Sequence, residues 1–274
     1  MTISITNEFY ELMSKVNFNV YGILDAQNQI HTLGTDSKII GRIFEMFTQP
    51  VLLKIAEKHN YILETPESQT LYPDFIMMKD KTSKDKIAID VKTTYIDNDN
   101  SKIKFTLGSF GSYMRNNTKN IAYEYTDFSK HYVIGFIYKR NGSAQESYQY
   151  DYKFKDMVVF PYYDVEYFIQ EKYKIAGDKP GSGNTENIGS FPTNNFAELK
   201  NGNGPFSILW QDIFELYWRY YPKYRNKTQA DIYKSLPQFL QWLPAHIEEV
   251  ELLHPFDKAS IMKRIKQYKS YNNL

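Results

Sequence analysis

The chain has 274 residues, 42% of them hydrophobic and 24% charged, with a formal net charge of +1 and no cysteine. These bounds exclude disulfides and thiolate metal sites, and they leave room for one large domain or two small ones. No apolar run approaches the ~18 residues of a membrane span, and the N-terminus lacks the basic and apolar regions of a secretion signal, so a cytoplasmic protein with no membrane contact is expected.

Ile5, Phe9, Leu12, Met13 and Val16 recur at helical spacing. Val20 to Leu33 then alternates about Ala26-Gln27-Asn28, as a hairpin would. Thr35 and Asp36 can cap a helix carrying Ile39, Ile40, Ile43, Phe44 and Phe47. Glu45 falls off most of that apolar stripe and reads as solvated. Tyr61 to Glu64 reads as a short strand, followed by the polar loop Thr65 to Thr70.

The chemistry-bearing stretch is Tyr72 to Tyr95. Phe75 to Met78 reads as a strand, Lys79 to Asp85 as a turn, and Lys86 to Thr93 as a half-buried strand returning antiparallel. Ile87, Ile89 and Val91 take one face of it, and Ala88, Asp90 and Lys92 the other. Positions two apart on a face lie about 7 Å apart, so Asp90 and Lys92 can flank one small group. A hairpin centred near Thr82 sets Asp74 opposite about position 90. Two carboxylates offer hard oxygen ligands to Mg²⁺, and a nearby lysine can orient water or neutralise charge on phosphorus, which suits phosphodiester hydrolysis. A turn aspartate and a solvent-face Asp-Xaa-Lys ion pair are the plainer explanation of the same residues.

Lys79 to Lys119 carries nine Lys/Arg against five Asp/Glu, a local surplus in a nearly neutral chain. Thr106 to Asn120 is rich in hydroxyls, amides and cations with little apolar periodicity, a composition that can hold a phosphate backbone without reading sequence. Ser112, Arg115, Asn117 and Lys119 are the candidates, and a capped turn leading into a helix is the alternative. His131 to Arg140 and Val165 to Gln170 read as sheet strands. Gly177 to Ser190 is predicted as a loop, with no Gly-Lys-Ser/Thr to make it a nucleotide site. As a groove reader its Gly181 and Gly183 would admit close backbone approach, Asn184 could pair with adenine N6 and N7, and the Thr185 methyl could meet a thymine methyl. A mobile surface loop is the ordinary alternative. In the last segment, Lys258, Lys263, Arg264, Lys266 and Lys269 lie on a predicted terminal helix whose Ile261, Ile265 and Tyr268 face elsewhere, as a solvated face or as contacts to flanking phosphates.

Pro73-Asp74 with Asp90-Val91-Lys92 resembles the Pro-Asp…Asp/Glu-Xaa-Lys nuclease superfamily. Tyr72 to Phe75, Ala88 to Tyr95, Lys102 to Gly108, Arg115 to Ile121, Ile175 to Asp178 and Gly181-Ser182-Gly183-Asn184-Thr185 resemble, in one order, the EcoRV-like type II restriction endonucleases. The resemblance runs from about residue 20 to about 220 and weakens beyond Gly204. It implies an α/β restriction-endonuclease-like fold, a mixed central β-sheet flanked by helices, in one domain spanning 1–274. Within that domain it implies a dimerisation hairpin near 17–35, a catalytic and DNA-recognition core over 36–204 and a C-terminal helical region over 205–274. Asp74, Asp90 and Lys92 are then catalytic, with Glu45 a further member of the Mg²⁺ site beside Asp74 and Asp90. Lys38, Gln69, Thr94 and Lys104 join the loop residues as DNA contacts, Gln69 in a loop whose Ser68, Thr70 and Leu71 depart from the family. The same likeness implies a homodimer on duplex DNA, blunt cleavage at the centre of GATATC, and a cognate methyltransferase as functional partner. A nuclease of other specificity or a repair role, and a DNA-binding module without catalysis, are the alternatives.

Overall fold

A computed structural model describes residues 5–181, 186–222 and 233–272. In chain order its elements are α1 (Thr6–Met13), β1 (Ile23–Leu24), β2 (Gln29–His31), α2 (Ser37–Lys58), β3 (Ile62–Glu64), β4 (Phe75–Met78), β5 (Lys86–Tyr95) and β6 (Thr106–Ser109). There follow β7 (Phe128–Arg140), β8 (Gln149–Asp151), β9 (Tyr162–Glu171), α3 (Lys172–Ile175), β10 (Ala176–Pro180) and β11 (Asn187–Ser190). Among the described residues four helices follow, α4 (Phe196–Asn201), α5 (Trp210–Tyr220), α6 (Leu236–Leu253) and α7 (Lys258–Tyr271). None among the described residues is long and apolar enough to cross a membrane. The chain divides into two compact units, the first running to Ile103 and resuming over Asp127–Ile169, the second comprising Lys104–Thr126 and the chain from Gln170 onward.

The first unit is built on a five-stranded sheet of order β3-β4-β5-β7-β9. β3 pairs with β4 and β4 with β5 antiparallel, and β5 pairs with β7 in parallel from Lys86↔Phe128 to Tyr95↔Tyr138, so the sheet is mixed as expected. α2 packs its Ile40, Phe44, Leu52 and Ile55 into the core, where Phe44 stacks on Phe136 at 4.5 Å between ring centroids. The Asp36 carboxylate caps it by accepting from the N–H groups of Lys38 and Ile39. β5 departs from the half-buried strand expected of it. Its first six residues, Lys86 to Val91, are all buried, because a strand in mid-sheet has both faces covered. β1 and β2 form the predicted early hairpin, to which β8 adds a third strand.

The second unit holds a small sheet of order β10-β11-β6 beside helices. It corrects the loop expected over Gly177 to Ser190, where β10 and β11 pair antiparallel and residues 182–185 lie outside the described residues. No helix follows β6 either, since residues 110–120 run as successive turns. α5 buries Ile213, Phe214, Leu216, Tyr217 and Trp218 against an aromatic cluster that includes Phe206, Tyr233 and Phe239. The α7 stripe is as predicted, with Ile261 and Ile265 buried.

Candidate active site and nucleic-acid interface

The β4–β5 register of Phe75↔Ile89 and Ile76↔Ala88 continues to place Asp74 across from Asp90, the position expected from a turn near Thr82. β4 begins one residue later, and the Asp74 side chain takes over the next rung. Its Oδ2 accepts the Val91 N–H at 2.7 Å. Asp90 and Lys92 sit two residues apart on one face of β5. The Lys92 ammonium lies 2.8 Å from Asp90 Oδ1 and 3.8 Å from Asp74 Oδ2, and donates to the Val91 carbonyl at 3.2 Å. Side-chain exposure is 5% for Asp90, 27% for Asp74 and 26% for Lys92, so solvent reaches the group from the side of the last two.

Burial and then the field of Asp90, with which it shares a hydrogen bond, push the Asp74 carboxyl up to about 7. Burial pulls the Lys92 ammonium down, but Asp90, Asp74 and Glu45 together outweigh it, and the net shift is upward. One ammonium thus faces two carboxylates that are crowded enough to retain a proton. Such a donor set is short of positive charge and fits a hard divalent cation, which takes one or two carboxylates and completes its shell with water and phosphate.

Glu45 is not the solvated residue that the helical stripe implied. It lies one turn beyond Gly41, whose missing side chain leaves room for Thr93 Oγ1, 3.4 Å from where a Cβ would stand. The same α2 face therefore looks onto the end of β5. Glu45 is held by Arg42 at 2.5 Å and acts on Lys92 through its charge. It does not join Asp74 and Asp90 in a three-carboxylate cage, as no group of three or more potential ligands close enough to share a metal ion occurs among the described residues. A Gly-Xaa-Xaa-Xaa-Glu spacing on a capped helix was the signal that could have pointed Glu45 toward the sheet.

The remaining candidates divide between the units. In the first unit Lys38 and Gln69 are exposed and Thr94 is half-buried toward the end of β5. In the second, Lys104 and Lys119 are exposed, while Ser112 is buried and donates to the Lys119 carbonyl at 2.8 Å, closing the 112–119 turn. Arg115 turns inward: its Nε donates to the Arg219 carbonyl at 3.0 Å and its Nη2 to that of Tyr221, at the C-terminal end of α5. A cation there meets the negative end of the helix dipole. Asn117 is half-buried, and its carbonyl accepts the Tyr125 N–H. Arg140, which the sequence reading passed over, stands 3.7 Å above the Tyr95 ring at the end of the β5–β7 pair.

Ser182, Gly183, Asn184 and Thr185 lie outside the described residues, but the hairpin that carries them does not. The Gly181 N–H donates to the Asn187 carbonyl at 2.7 Å, and a Cβ on Gly181 or Gly189 would stand 3.2–3.4 Å from the other's Cα, so these glycines serve the approach of the two strands to each other. Ser109 Oγ and the Phe110 N–H both donate to the Glu186 carbonyl, tying the hairpin to the start of the 110–120 segment. At its base the Asp178 carboxylate accepts the Leu236 N–H at 3.0 Å, capping α6, and its carbonyl accepts the Tyr217 hydroxyl at 2.6 Å.

A protein-family model described as restriction endonuclease EcoRV matches residues 14–244. The type II restriction enzyme EcoRV of Escherichia coli is 40% identical over 240 residues, a span covering 87% of this chain and 96% of that protein. With the mixed sheet, the matched hairpin and this breadth of likeness, the chain belongs to the EcoRV restriction endonuclease family, type II enzymes that hydrolyse the phosphodiester bonds of DNA.

Proposed function

We propose that the chain cuts both strands of duplex DNA at the centre of GATATC, leaving blunt ends, with Asp74, Asp90 and Lys92 as its catalytic group. The observation that carries the reading is the convergence of the two carboxylates on one ammonium, 2.8 and 3.8 Å away. Mg²⁺ held by Asp74 and Asp90 would polarise the phosphoryl group and lower the pKa of a bound water. Lys92, its proton held by three carboxylates, acts as a positive donor: it orients the attacking water and offsets charge gathering on the phosphoryl oxygens, and it does not serve as the base. Glu45 sustains that charge from α2.

The two units are read as parts of one nuclease domain, and the protein as a homodimer that gives each strand of a palindrome its own catalytic group. Exposed apolar residues around the β1-β2-β8 sheet, Ile23 and Leu24 on the hairpin with Tyr152, Phe154 and Met157 after β8, support that face as the dimer contact. A cognate methyltransferase protecting the same sequence is the functional partner. Specificity for GATATC rests on the Gly181 to Thr185 block shared with the family, while the departures at Ser68, Thr70 and Leu71 favour altered preference beyond it.

Digestion of sequenced plasmid DNA with Mg²⁺ and mapping of both ends tests the reading. Paired blunt ends within GATATC are expected; ends at another motif overturn the specificity, and an absence of any cutting overturns the catalytic assignment. Base readout is separable from phosphate contact. Asn184→Ala should cost about 1 to 3 kcal/mol of discrimination at the adenine it pairs, whereas Lys119→Ala should weaken binding to all sequences and make its salt dependence shallower by about one unit. Cleavage of the cognate site by Asn184→Ala at the wild-type rate would remove the loop from its reading role.

A further inference from the structure

α7 lies beyond residues 14–244, the span matched by the family, and its charge is one-sided. Its fourteen residues include Lys258, Lys263, Arg264, Lys266 and Lys269 and no aspartate or glutamate. Two of the five cations are already engaged, Lys258 with Glu248, and Arg264 with Asp212 at 2.8 Å. Lys263, Lys266 and Lys269 have no ion-pair partner among the described residues. Ile261 and Ile265 fix the roll of the helix by burying the opposite stripe, so Lys263 and Lys266 are held outward by packing.

The surface they reach is shaped as well as charged. Lys263, Lys266, Gln267, Ser270 and Tyr271 line one shallow depression. Each of these side chains can donate a hydrogen bond, and none carries negative charge. A concave strip of ammonium, amide and hydroxyl donors is complementary to a row of phosphate oxygens. Three residues of helix rise about 4.5 Å, so exposed Lys263 and Lys266 stand one such step apart and half-buried Lys269 follows one step further on, each able to reach its own phosphate through a long side chain.

We propose that α7 is a sequence-independent clamp on the phosphate backbone of duplex DNA outside the recognised site, with Lys263, Lys266 and Lys269 as its contacts. The proposal rests on DNA as the substrate of this chain and adds to it a contact that the matched portion of the family does not contain. Such a clamp would lengthen the DNA footprint, help the enzyme hold and track non-cognate duplex, and make affinity depend on how much DNA flanks the site.

The test compares the wild-type chain with the triple variants Lys263→Gln/Lys266→Gln/Lys269→Gln and Lys263→Arg/Lys266→Arg/Lys269→Arg. Binding is measured across a salt series on two duplexes, one trimmed close to GATATC and one carrying the same site amid long flanks. For the long duplex the Gln variant should lose at least about tenfold in affinity, and its plot of log affinity against log salt should flatten by roughly two to three units, at ~0.9 per lost phosphate contact. The trimmed duplex should show little difference between the chains, and the Arg variant should behave as wild type on both. Circular dichroism verifies that the Gln variant is folded, and Lys263→Gln alone, with an expected flattening of about one unit, provides the answer if the triple variant is not. A Gln variant with the wild-type slope on the long duplex overturns the proposal, as does an equal loss on both duplexes. Failure of the wild-type chain itself to bind either duplex would instead overturn the assignment of DNA as substrate.

Discussion

The two hairpins of this chain do opposite things with their backbones. β4–β5 is sunk in the middle of a sheet, with Phe75 to Met78 and Lys86 to Val91 all buried, and its Asp74 and Lys92 reach solvent only in part while Asp90 stays inside. β10–β11 is a glycine-bearing ribbon secured at its base by Asp178 and along one edge by β6. Hydrolysis asks for groups that cannot relax, since two carboxylates and an ammonium are useful at a phosphate only if the protein, and not solvent, fixes their spacing. Reading a groove asks for the reverse, a slender edge that projects from a firm footing. Under the proposed function, the first task falls to a buried β5 and the second to a hairpin secured at its root by Asp178.

Asp90→Asn attacks the first hairpin and carries the largest expected effect. It keeps the volume but removes a charge from the catalytic group, so single-turnover cleavage with Mg²⁺ should fall by at least about 10²-fold while binding to cognate duplex persists. Wild-type cleavage by this variant would move the chemistry off the hairpin. Arg115→Gln tests whether the second unit relies on cations for support as well as for contact. Loss of its charged hydrogen bonds to the Arg219 and Tyr221 carbonyls should lower resistance to urea by about 1.5–3 kcal/mol and leave the salt slope of DNA binding unchanged. A shallower slope with intact stability would mean that Arg115 contacts a phosphate after all.

The smallest effect concerns pH. Folded Asp74 holds its proton to about 7, whereas an unfolded chain releases it near 3.8. The folded state therefore binds more protons in that window, and the metal-free protein loses stability as pH rises through it. Asp74→Asn removes this dependence, so its Tm advantage over wild type should widen from about pH 4 to about pH 7 and then level off. A constant difference across the series would show that the two carboxyls do not share a proton.

The legible part of the molecule was the part in which polarity and period coincide. Alternation over Lys86 to Thr93 gave the strand and its facing charges, and the turn at Thr82 gave the register to Asp74. Burial on both faces was hidden because Lys86 and Asp90 are charged, and Asp90 is tolerated inside through its pairing with the partly exposed Lys92. Gly177 to Ser190 concealed its strands for a different reason. Gly177, Asp178, Lys179 and Pro180 have no strand preference of their own, and β10 exists because β11 and the capped end of α6 hold it. Arg115 looked like a phosphate ligand because nothing local shows that a helix end a hundred residues later leaves carbonyls in need of a donor.

The division of the chain has a consequence for how such an enzyme can change. Its backbone enters the second unit at Lys104, returns to the first at Asp127 and leaves it again at Gln170. Neither the unit holding the five-stranded sheet nor the unit holding β10–β11 is a continuous stretch of gene. Recombination cannot lift one out as a cassette and splice it onto another nuclease, because any single exchange that carries the whole of one unit also carries part of the other. On the ribosome the first sheet must likewise wait for β9, with a segment of the other unit already synthesised in between. New specificity is therefore constrained to arise in place, through substitutions in turns and at the ends of strands already present in the two units.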